Sequence, residues 1–308
     1  MINWPDDKKF AFTIFDDTDG STVSNIQAVY QLLQKSGLKT TKSIWTYPSR
    51  DHFSGDCLQD TEYNTFVQKL KKQGFEIASH GAGSGKFLRD EIISSLDFFC
   101  QTFGHYPVLH ANHSQNIDNI HWGHKRFAAP LSWAYKIKQK RIYEGEDKLS
   151  PHYWGDYSKK YIKYIRNRTF NNINTLKVDP YMPYSEPQKS ESSNFWFSSS
   201  DAHTVKEFCH LLSPKNIDQL EKEGGLCIVY THFAFGFYDE KTGSLNSQFV
   251  DCIRNISSRS GWFMPTGEIL DFLMNQKGRG KDLSKVKALR LDMNWIFDRL
   301  QKRLRFGI

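Results

Sequence analysis

The chain has 308 residues, of which 39% are hydrophobic, and it carries a formal net charge of +7 with an isoelectric point near 9.0. This length can supply a full β/α barrel, which takes about 250 residues, and no run of eighteen apolar residues occurs that would span a membrane. The five cysteines form no Cys-x-x-Cys pair, which is typical of reduced cysteines in a cytosolic protein.

The first predicted strand ends in an acidic cluster. Residues 12–20 read FTIFDDTDG, so an apolar segment is followed by Asp16, Asp17 and Asp19. Like charges a few ångströms apart raise one another's pKa, so the cluster indicates a divalent cation, a shared proton, or both. An acidic turn that caps the next helix, with Gly20 at the bend, is the alternative interpretation.

Helices and strands alternate through the following residues. Apolar residues at helical spacing predict a helix over 24–36, and a strand over 38–46 follows it. Further helices are predicted over 62–73, 90–103 and 217–223, and each predicted helix is followed by a glycine. The recurrence of strand, helix and glycine predicts a parallel β/α barrel.

Two later strands end in a histidine. The apolar segment that follows Gly74 leads to His80, and the segment 226–231 leads to His232. In parallel β/α folds the active site lies where the carboxyl ends of the strands meet the loops. We therefore expect these histidines to converge with the acidic cluster.

These segments resemble the motifs of the polysaccharide deacetylases of carbohydrate esterase family 4. TIFDD at 13–17 matches the family's Thr-Phe-Asp-Asp motif, EIASH at 76–80 its first metal histidine, and YTH at 230–232 its late Leu-x-His motif. The resemblance covers roughly residues 8–273. It implies a distorted β/α barrel of about seven strands that hydrolyses N-acetyl, occasionally O-acetyl, groups of sugars at an Asp-His-His metal site.

The resemblance also implies residue roles. In the usual family pattern Asp16 is the general base and Asp17 is a metal ligand, whereas an Asp-x-Asp spacing gives these roles to Asp17 and Asp19. Both assignments stay open at the level of the sequence. In either case His80 is a metal ligand and His232 is the general acid.

The family's second metal histidine is missing. Its position, four residues after His80, is Ser84, and the family's Arg-x-Pro motif is absent. Because a histidine from any strand end that reaches the metal can bind it, we expect His113, or else His110, as the replacement. Loss of the metal is the alternative. The expected cofactor is a divalent metal, zinc in the first instance, with the ligands Asp17, Asp19, His80 and His113.

The segment 121–200 departs from the alternation of helices and strands. It is rich in aromatic and basic residues, which bind sugars by stacking and phosphates by charge, and it is predicted to be an insertion that forms a lid over the site. The predicted domains are a barrel over 1–276 that contains this insertion and a basic amphipathic helix within 277–308.

The C-terminal segment carries the positive excess of the chain. Residues 277–308 hold ten basic and three acidic side chains, a balance of +7. Apolar side chains recur there at helical spacing, namely Val286, Leu289, Met293, Ile296, Leu300 and Leu304. Such a helix is predicted to dock on an anionic membrane surface, or to pack on the barrel or on a second subunit. No nucleic-acid motif accompanies the charge, so nucleic acid is not an expected partner.

The sequence thus predicts a metal-dependent deacetylase that removes an acetyl group, in the first instance N-acetyl, from a carbohydrate intermediate of surface glycan biosynthesis such as that of lipopolysaccharide. Residues 1–9 are polar and lead straight into the first strand, which favours a cytoplasmic enzyme, at or near the inner membrane face. The alternatives are a non-catalytic carbohydrate-binding relative and a barrel glycoside hydrolase, which would need two suitably spaced acids.

Overall fold

Seven parallel strands close into a barrel. The structure, a computed structural model, describes residues 2–276 and 278–306. Of residues 305 and 306 it describes only the backbone. The strands are β1 (Phe10–Asp16), β2 (Thr41–Ile44), β3 (Glu76–Ser79), β4 (Leu109–Ala111), β5 (Tyr164–Phe170), β6 (Phe195–Asp201), β7 (Leu226–Thr231), β8 (Tyr238–Asp239), β9 (Ser244–Leu245) and β10 (Gly261–Trp262). β1 to β7 lie side by side in chain order, and β1 also pairs with β7, which closes the barrel. β10 lies parallel to the first two residues of β1 and pairs with them, and β8 and β9 form a separate antiparallel pair.

Helices connect and surround the strands. The α-helices in the described part of the chain are α1 (Val23–Lys35), α2 (Thr61–Lys72), α3 (Arg89–Phe103), α4 (Leu131–Lys138), α5 (Gly155–Tyr161), α6 (Thr175–Val178), α7 (Val205–Leu211), α8 (Pro214–Glu223), α9 (Ser247–Ser257), α10 (Thr266–Met274) and α11 (Lys285–Phe306). The predicted β/α barrel of about seven strands with a C-terminal helix is confirmed. None of the described helices is both long enough and apolar enough to cross a lipid bilayer.

Alternation along β1 divides its side chains between two hydrophobic clusters. Phe10, Phe12 and Ile14 pack with residues of α1 and α2, whereas Ala11 and Phe15 belong to the second cluster. Successive side chains of a strand point to opposite faces. By the same alternation, the residue after Phe15 points towards the helices and the next one points away from them.

The segment 121–200 is only partly an insertion, contrary to the prediction. It contains β5 and β6, which supply two of the seven barrel strands. β5 reads YIRNRTF, and its polar residues Arg166, Asn167 and Arg168 are all buried. Because these buried residues are polar, the strand lacks the apolar pattern by which it could have been recognised. The charges of Arg166 and Arg168 are neutralised by Asp17 and Asp292 of other segments.

The helix α11 packs on the barrel through a face that combines apolar and charged side chains. Ala288, Leu291 and Asp292 are buried, whereas most of the predicted apolar stripe is exposed and its members Leu289 and Ile296 are half-buried. Exposed fractions of 53% to 88% apply to the side chains of Val286, Met293, Phe297, Leu300 and Leu304. The apolar stripe is therefore not the face that packs on the barrel, because the barrel presents buried charges here and another face of the helix supplies their partners.

The pair of Arg168 and Asp292 joins β5 to α11. Both side chains are fully buried, and Nε of Arg168 donates to Oδ1 of Asp292 at 3.0 Å. The backbone N–H of Ala128 donates to Oδ2 of Asp292 at 2.7 Å, and Arg168 also donates to the hydroxyl of Tyr184. A buried pair of this kind is costly to break, since the remaining partner keeps an unneutralised charge.

We expect the substitution Asp292→Asn to lower the free energy of unfolding by about 3 kcal/mol, because it leaves the buried Arg168 without a counter-charge. Urea denaturation would measure the change. The matched control is Asp251→Asn, which removes an exposed partner of Arg254 and should cost less than about 1 kcal/mol. Equal losses in both variants would contradict a structural role for the buried pair.

Candidate active site

Five predicted site residues meet in one cavity of about 290 Å³ at the carboxyl ends of the strands. Asp17 and Asp19 follow β1, His80 follows β3, His113 lies just beyond β4, and His232 follows β7. All five side chains are buried and all line this cavity. The structure therefore brings together strand ends that are far apart in the sequence.

Asp19 lies among three imidazoles. Its Oδ1 is 3.3 Å from Nε2 of His80, and its Oδ2 is 3.4 Å from Nε2 of His113 and 3.3 Å from Nε2 of His232. Burial alone would raise the pKa of Asp19, but its contacts with His113, His232 and His80 outweigh burial and hold the pKa well below its usual range. Asp19 is consequently an anionic centre of the cluster.

The geometry of Asp19, His80 and His113 fits a divalent metal. Nε2 of both histidines and Oδ1 of Asp19 are buried without a hydrogen bond, and the three residues offer ligand atoms within 4.8 Å of one another. Ligand atoms around a tetrahedral ion with bonds of about 2.0 to 2.1 Å lie about 3.3 to 3.4 Å apart. Because unpaired buried polar atoms are costly, these three residues are suited to hold a cation.

His113 rather than His110 faces this cluster. The ring nitrogens of His110 lie 3.2 Å from the hydroxyl of Ser79 and 3.2 Å from Oδ1 of Asn112, and burial lowers the pKa of His110 to about 3. Nδ1 of His113 lies 3.1 Å from Oδ1 of Asn116. Such a contact fixes the ring orientation of a metal-binding histidine and leaves the other nitrogen free to bind.

Asp17 forms a two-point ion pair with Arg166 of β5. Nη1 of Arg166 donates to Oδ1 of Asp17 at 2.9 Å, and Nη2 donates to Oδ2 at 2.5 Å. Burial would raise the pKa of Asp17, but the charges of Arg166 and His80 more than compensate and lower it. Nε2 of His80 lies 3.8 Å from Asp17, slightly farther than from Asp19. Asp17 is thus an ionised carboxylate beside the candidate ligands.

Asp16 lies outside the cavity, on the helix side of β1. Its Oδ2 is 3.0 Å from Nζ of Lys42 and accepts from the hydroxyl of Tyr30, while its Oδ1 accepts from the backbone N–H of Phe233. Burial raises the pKa of Asp16, and the charge of Lys42 opposes this only in part. The expected role of Asp16 as general base does not fit this position, because strand alternation turns its carboxylate away from the site.

The rest of the cavity lining consists of residues that the sequence analysis did not individually assign to the site. They include residues of β5, β6, α7 and α11. Among them are Trp122, Arg126, Arg166, Asn167, Thr169, Asp201, His203, Glu207, Tyr230, Trp295, Arg299 and Lys302. The sequence shows these residues only as part of its basic and aromatic content, and their spacing does not predict that they line the cavity.

Comparison with solved structures identifies the architecture. A protein from Mycobacterium smegmatis assigned as a polysaccharide deacetylase matches with a TM-score of 0.54 and 12% identity, over 92% of this chain and 96% of the other. A second such protein, from Pseudomonas aeruginosa PAO1, matches with a TM-score of 0.53 and 11% identity, over 90% and 94% of the two chains. This chain has the polysaccharide deacetylase fold. No protein-family model matches the chain, and neither does any curated protein.

Within the polysaccharide deacetylase fold, the position of the missing second histidine is occupied differently here. Ser84 lies away from the cluster, and its hydroxyl donates to Oδ1 of Asp51 at 2.8 Å. His113 reaches Asp19 from the loop after β4 instead. The donor set of one carboxylate and two imidazoles is therefore complete although one sequence motif is broken.

We expect His113→Ala to lose a divalent metal that the unaltered protein retains, because His113 offers one of three candidate ligand atoms. Metal content after equilibrium dialysis against Zn²⁺ would measure this. The control is His110→Gln, a buried histidine of the same segment whose nitrogens face away from Asp19. Equal metal content in the two variants, with both folded by circular dichroism, would contradict the assignment.

Proposed function

We propose that this protein is a metal-dependent carbohydrate deacetylase that hydrolyses an acetyl group, in the first instance an N-acetyl group, of a sugar. The observation that carries the proposal is the cluster of Asp19, His80 and His113 beside the ionised Asp17, in the cavity of a polysaccharide deacetylase fold. The chemistry that a metal ion supplies in such a site is polarisation of the acetyl carbonyl and acidification of water.

Asp17 is the proposed general base. Its carboxylate is ionised and buried in the cavity, and the two hydrogen bonds from Arg166 hold it in one orientation. In the proposed reaction Asp17 accepts the proton of the attacking water as the water oxygen bonds to the acetyl carbon. Of the two carboxylate pairs suggested by the sequence, Asp17 and Asp19 fit this assignment, with Asp19 as ligand.

His232 is the proposed general acid. Its Nε2 faces the cavity 3.3 Å from Asp19, and its Nδ1 lies 3.4 Å from the backbone carbonyl of His203. The rings of Tyr230 and Phe235 pack against it with centroids 5.1 and 4.9 Å away. His232 would protonate the departing amine nitrogen as the carbon–nitrogen bond breaks, so that acetate and a free amine leave.

Other readings of the fold receive less support from the cavity. A glycoside hydrolase requires two carboxylates that flank the scissile bond, but Asp201 and Glu207 on the far wall are paired with Arg299 and Lys302. A non-catalytic carbohydrate-binding protein would not need an ionised carboxylate held beside three converging imidazoles.

We expect His232→Ala to reduce acetate release by roughly 10²- to 10⁴-fold, because the leaving amine loses its proton donor. Acetate would be measured with a panel of N-acetylated mono- and oligosaccharides, and metal content would be measured in parallel. The control His105→Ala changes an exposed histidine after α3 and should leave turnover unchanged. Loss of metal together with activity in His232→Ala would show that His232 is a ligand and not the acid.

The outer face of α11 is the proposed docking surface for an anionic membrane, which would bring the enzyme to lipid-linked sugar intermediates of surface glycan assembly in the cytoplasm. Exposed apolar side chains run along this face, and exposed cations flank them. The cations are Lys285, Lys287, Arg290 and Arg303. Trp133 and Ile137 of α4 are also exposed. Apolar area with flanking cations is the composition that binds anionic lipid surfaces.

We expect the double substitution of Leu300→Gln and Leu304→Gln to reduce flotation with phosphatidylglycerol liposomes at low salt, because it removes exposed apolar area without touching the buried face of α11. The control is Leu149→Gln, which changes an almost fully exposed leucine outside α11. If the unaltered protein does not float at low salt, the membrane proposal is wrong. A dimer that the same double substitution dissociates would assign the surface to a second copy instead.

A further inference from the structure

Arg126 is a buried cation without an acidic partner. Its side chain is 8% exposed and lines the wall of the cavity that faces the metal cluster. The guanidinium carbon lies 4.3 Å from the ring centroid of Trp122 and 5.0 Å from that of Trp295. One Nη donates to the backbone carbonyl of Asn167, while Nε has no hydrogen-bond partner. Burial and the nearby charge of Arg168 lower the pKa of Arg126 to about 9, and the charge of Asp292 opposes this only in part.

The other cations of the cavity are neutralised. Arg166 is paired with Asp17, and both Arg299 and Lys302 are paired with Asp201. Among the described residues no carboxylate forms an ion pair with Arg126. Among the described arginine and lysine residues that line this cavity, Arg126 is therefore the one that forms no ion pair.

Further unpaired donors surround Arg126. The side-chain amide of Asn167, the indole N–H of Trp295 and Nε of Arg299 are all buried without a hydrogen bond, and all three residues line the cavity. Indole and guanidinium nitrogens only donate, and an amide can donate through its NH₂ group. Buried donors without acceptors are costly in a folded protein, so the natural complement of this region is an anion that accepts several hydrogen bonds.

We infer that Arg126, with Asn167 and Trp295, forms a subsite for an anionic group of the substrate, a carboxylate or a phosphate, so that the sugar to be deacetylated is acidic. This inference builds on the proposed deacetylase function, since the subsite and the metal cluster share one cavity. The faces of Trp122 and Trp295 flank the guanidinium and fix it in place.

A neutral sugar would leave Arg126 as unpaired as it is in the free protein. A site built around a polar or charged group of its substrate discriminates strongly against analogues that lack the group, because the buried partner then stays unsatisfied. We expect the enzyme to prefer acidic over neutral N-acetyl sugars by about 10²-fold or more in kcat/KM.

Anion binding can be measured separately from acetyl hydrolysis. In isothermal titration of the full metal-loaded chain, we expect inorganic phosphate or glucuronate to bind, and glucose not to bind. The two anions distinguish phosphate from carboxylate recognition. Arg126→Met should lower the affinity for the preferred anion at least about 10-fold, and the exposed control Arg254→Met should leave it unchanged.

The variants also separate loss of the site from loss of the fold. Arg126→Met removes an unpaired buried charge, so we expect it to unfold at a higher urea concentration than the unaltered chain. Arg126→Gln, which keeps a donor without the charge, provides a second test. If both variants bind the anion as tightly as the unaltered chain does, the inference is wrong and the anion binds at the cluster of Asp19, His80 and His113. Arg126-dependent anion binding without acetate release from any sugar would uphold the subsite and refute the proposed deacetylase.

Discussion

The cost of burying charge governs the site end of this barrel. Isolated charges are expensive to bury, so most of the buried charges at this end of the barrel have a partner. Asp16 meets Lys42, Asp17 meets Arg166, and Arg168 meets Asp292. Each of these pairs joins residues from different elements: Asp16 and Lys42 connect the neighbouring strands β1 and β2, Asp17 and Arg166 connect the end of β1 to β5, and Arg168 and Asp292 connect β5 to α11. The ion pairs thus both neutralise the buried charges around the site and connect the elements that carry them.

The same rule divides two neighbouring aspartates into different roles. Asp16 and Asp17 are adjacent in the sequence, yet one belongs to the helix layer and the other to the cavity. The partner of Asp16 is a lysine with a neighbouring tyrosine, which locks it into the fold. The partner of Asp17 is an arginine, whose planar fork binds both carboxylate oxygens and leaves the carboxylate beside the histidines. Strand alternation thus places Asp16 on the helix side of the barrel and Asp17 in the cavity, although the two residues are adjacent in the sequence.

The sequence predicts the apolar skeleton of the site well and its polar wall poorly. β1, His80 and His232 could be located because an apolar run before a polar strand end is a local pattern. Phe10, Phe12 and Ile14 alternate along β1, and Asp16 follows in the same alternation, so its position on the helix side could also have been inferred from the sequence. β5 could not be recognised from the sequence, because its buried arginines look like surface residues until their distant partners are known. In α11 the apolar periodicity marks the exposed face. The face that packs on the barrel is the one whose side chains form ion pairs with Asp201 and Arg168.

The distance in sequence between Arg168 and its partner Asp292 has a consequence for folding. These residues lie 124 positions apart, so the docking of α11 closes a long loop, at an entropic cost that grows with the logarithm of the loop length. Until α11 docks, Arg168 and Asp201 lack their partners, and the cavity lacks the wall that holds Trp295 and Lys302. The docking of α11 therefore completes the charge balance and the wall of the cavity together, so a chain in which α11 is not docked lacks the finished cavity.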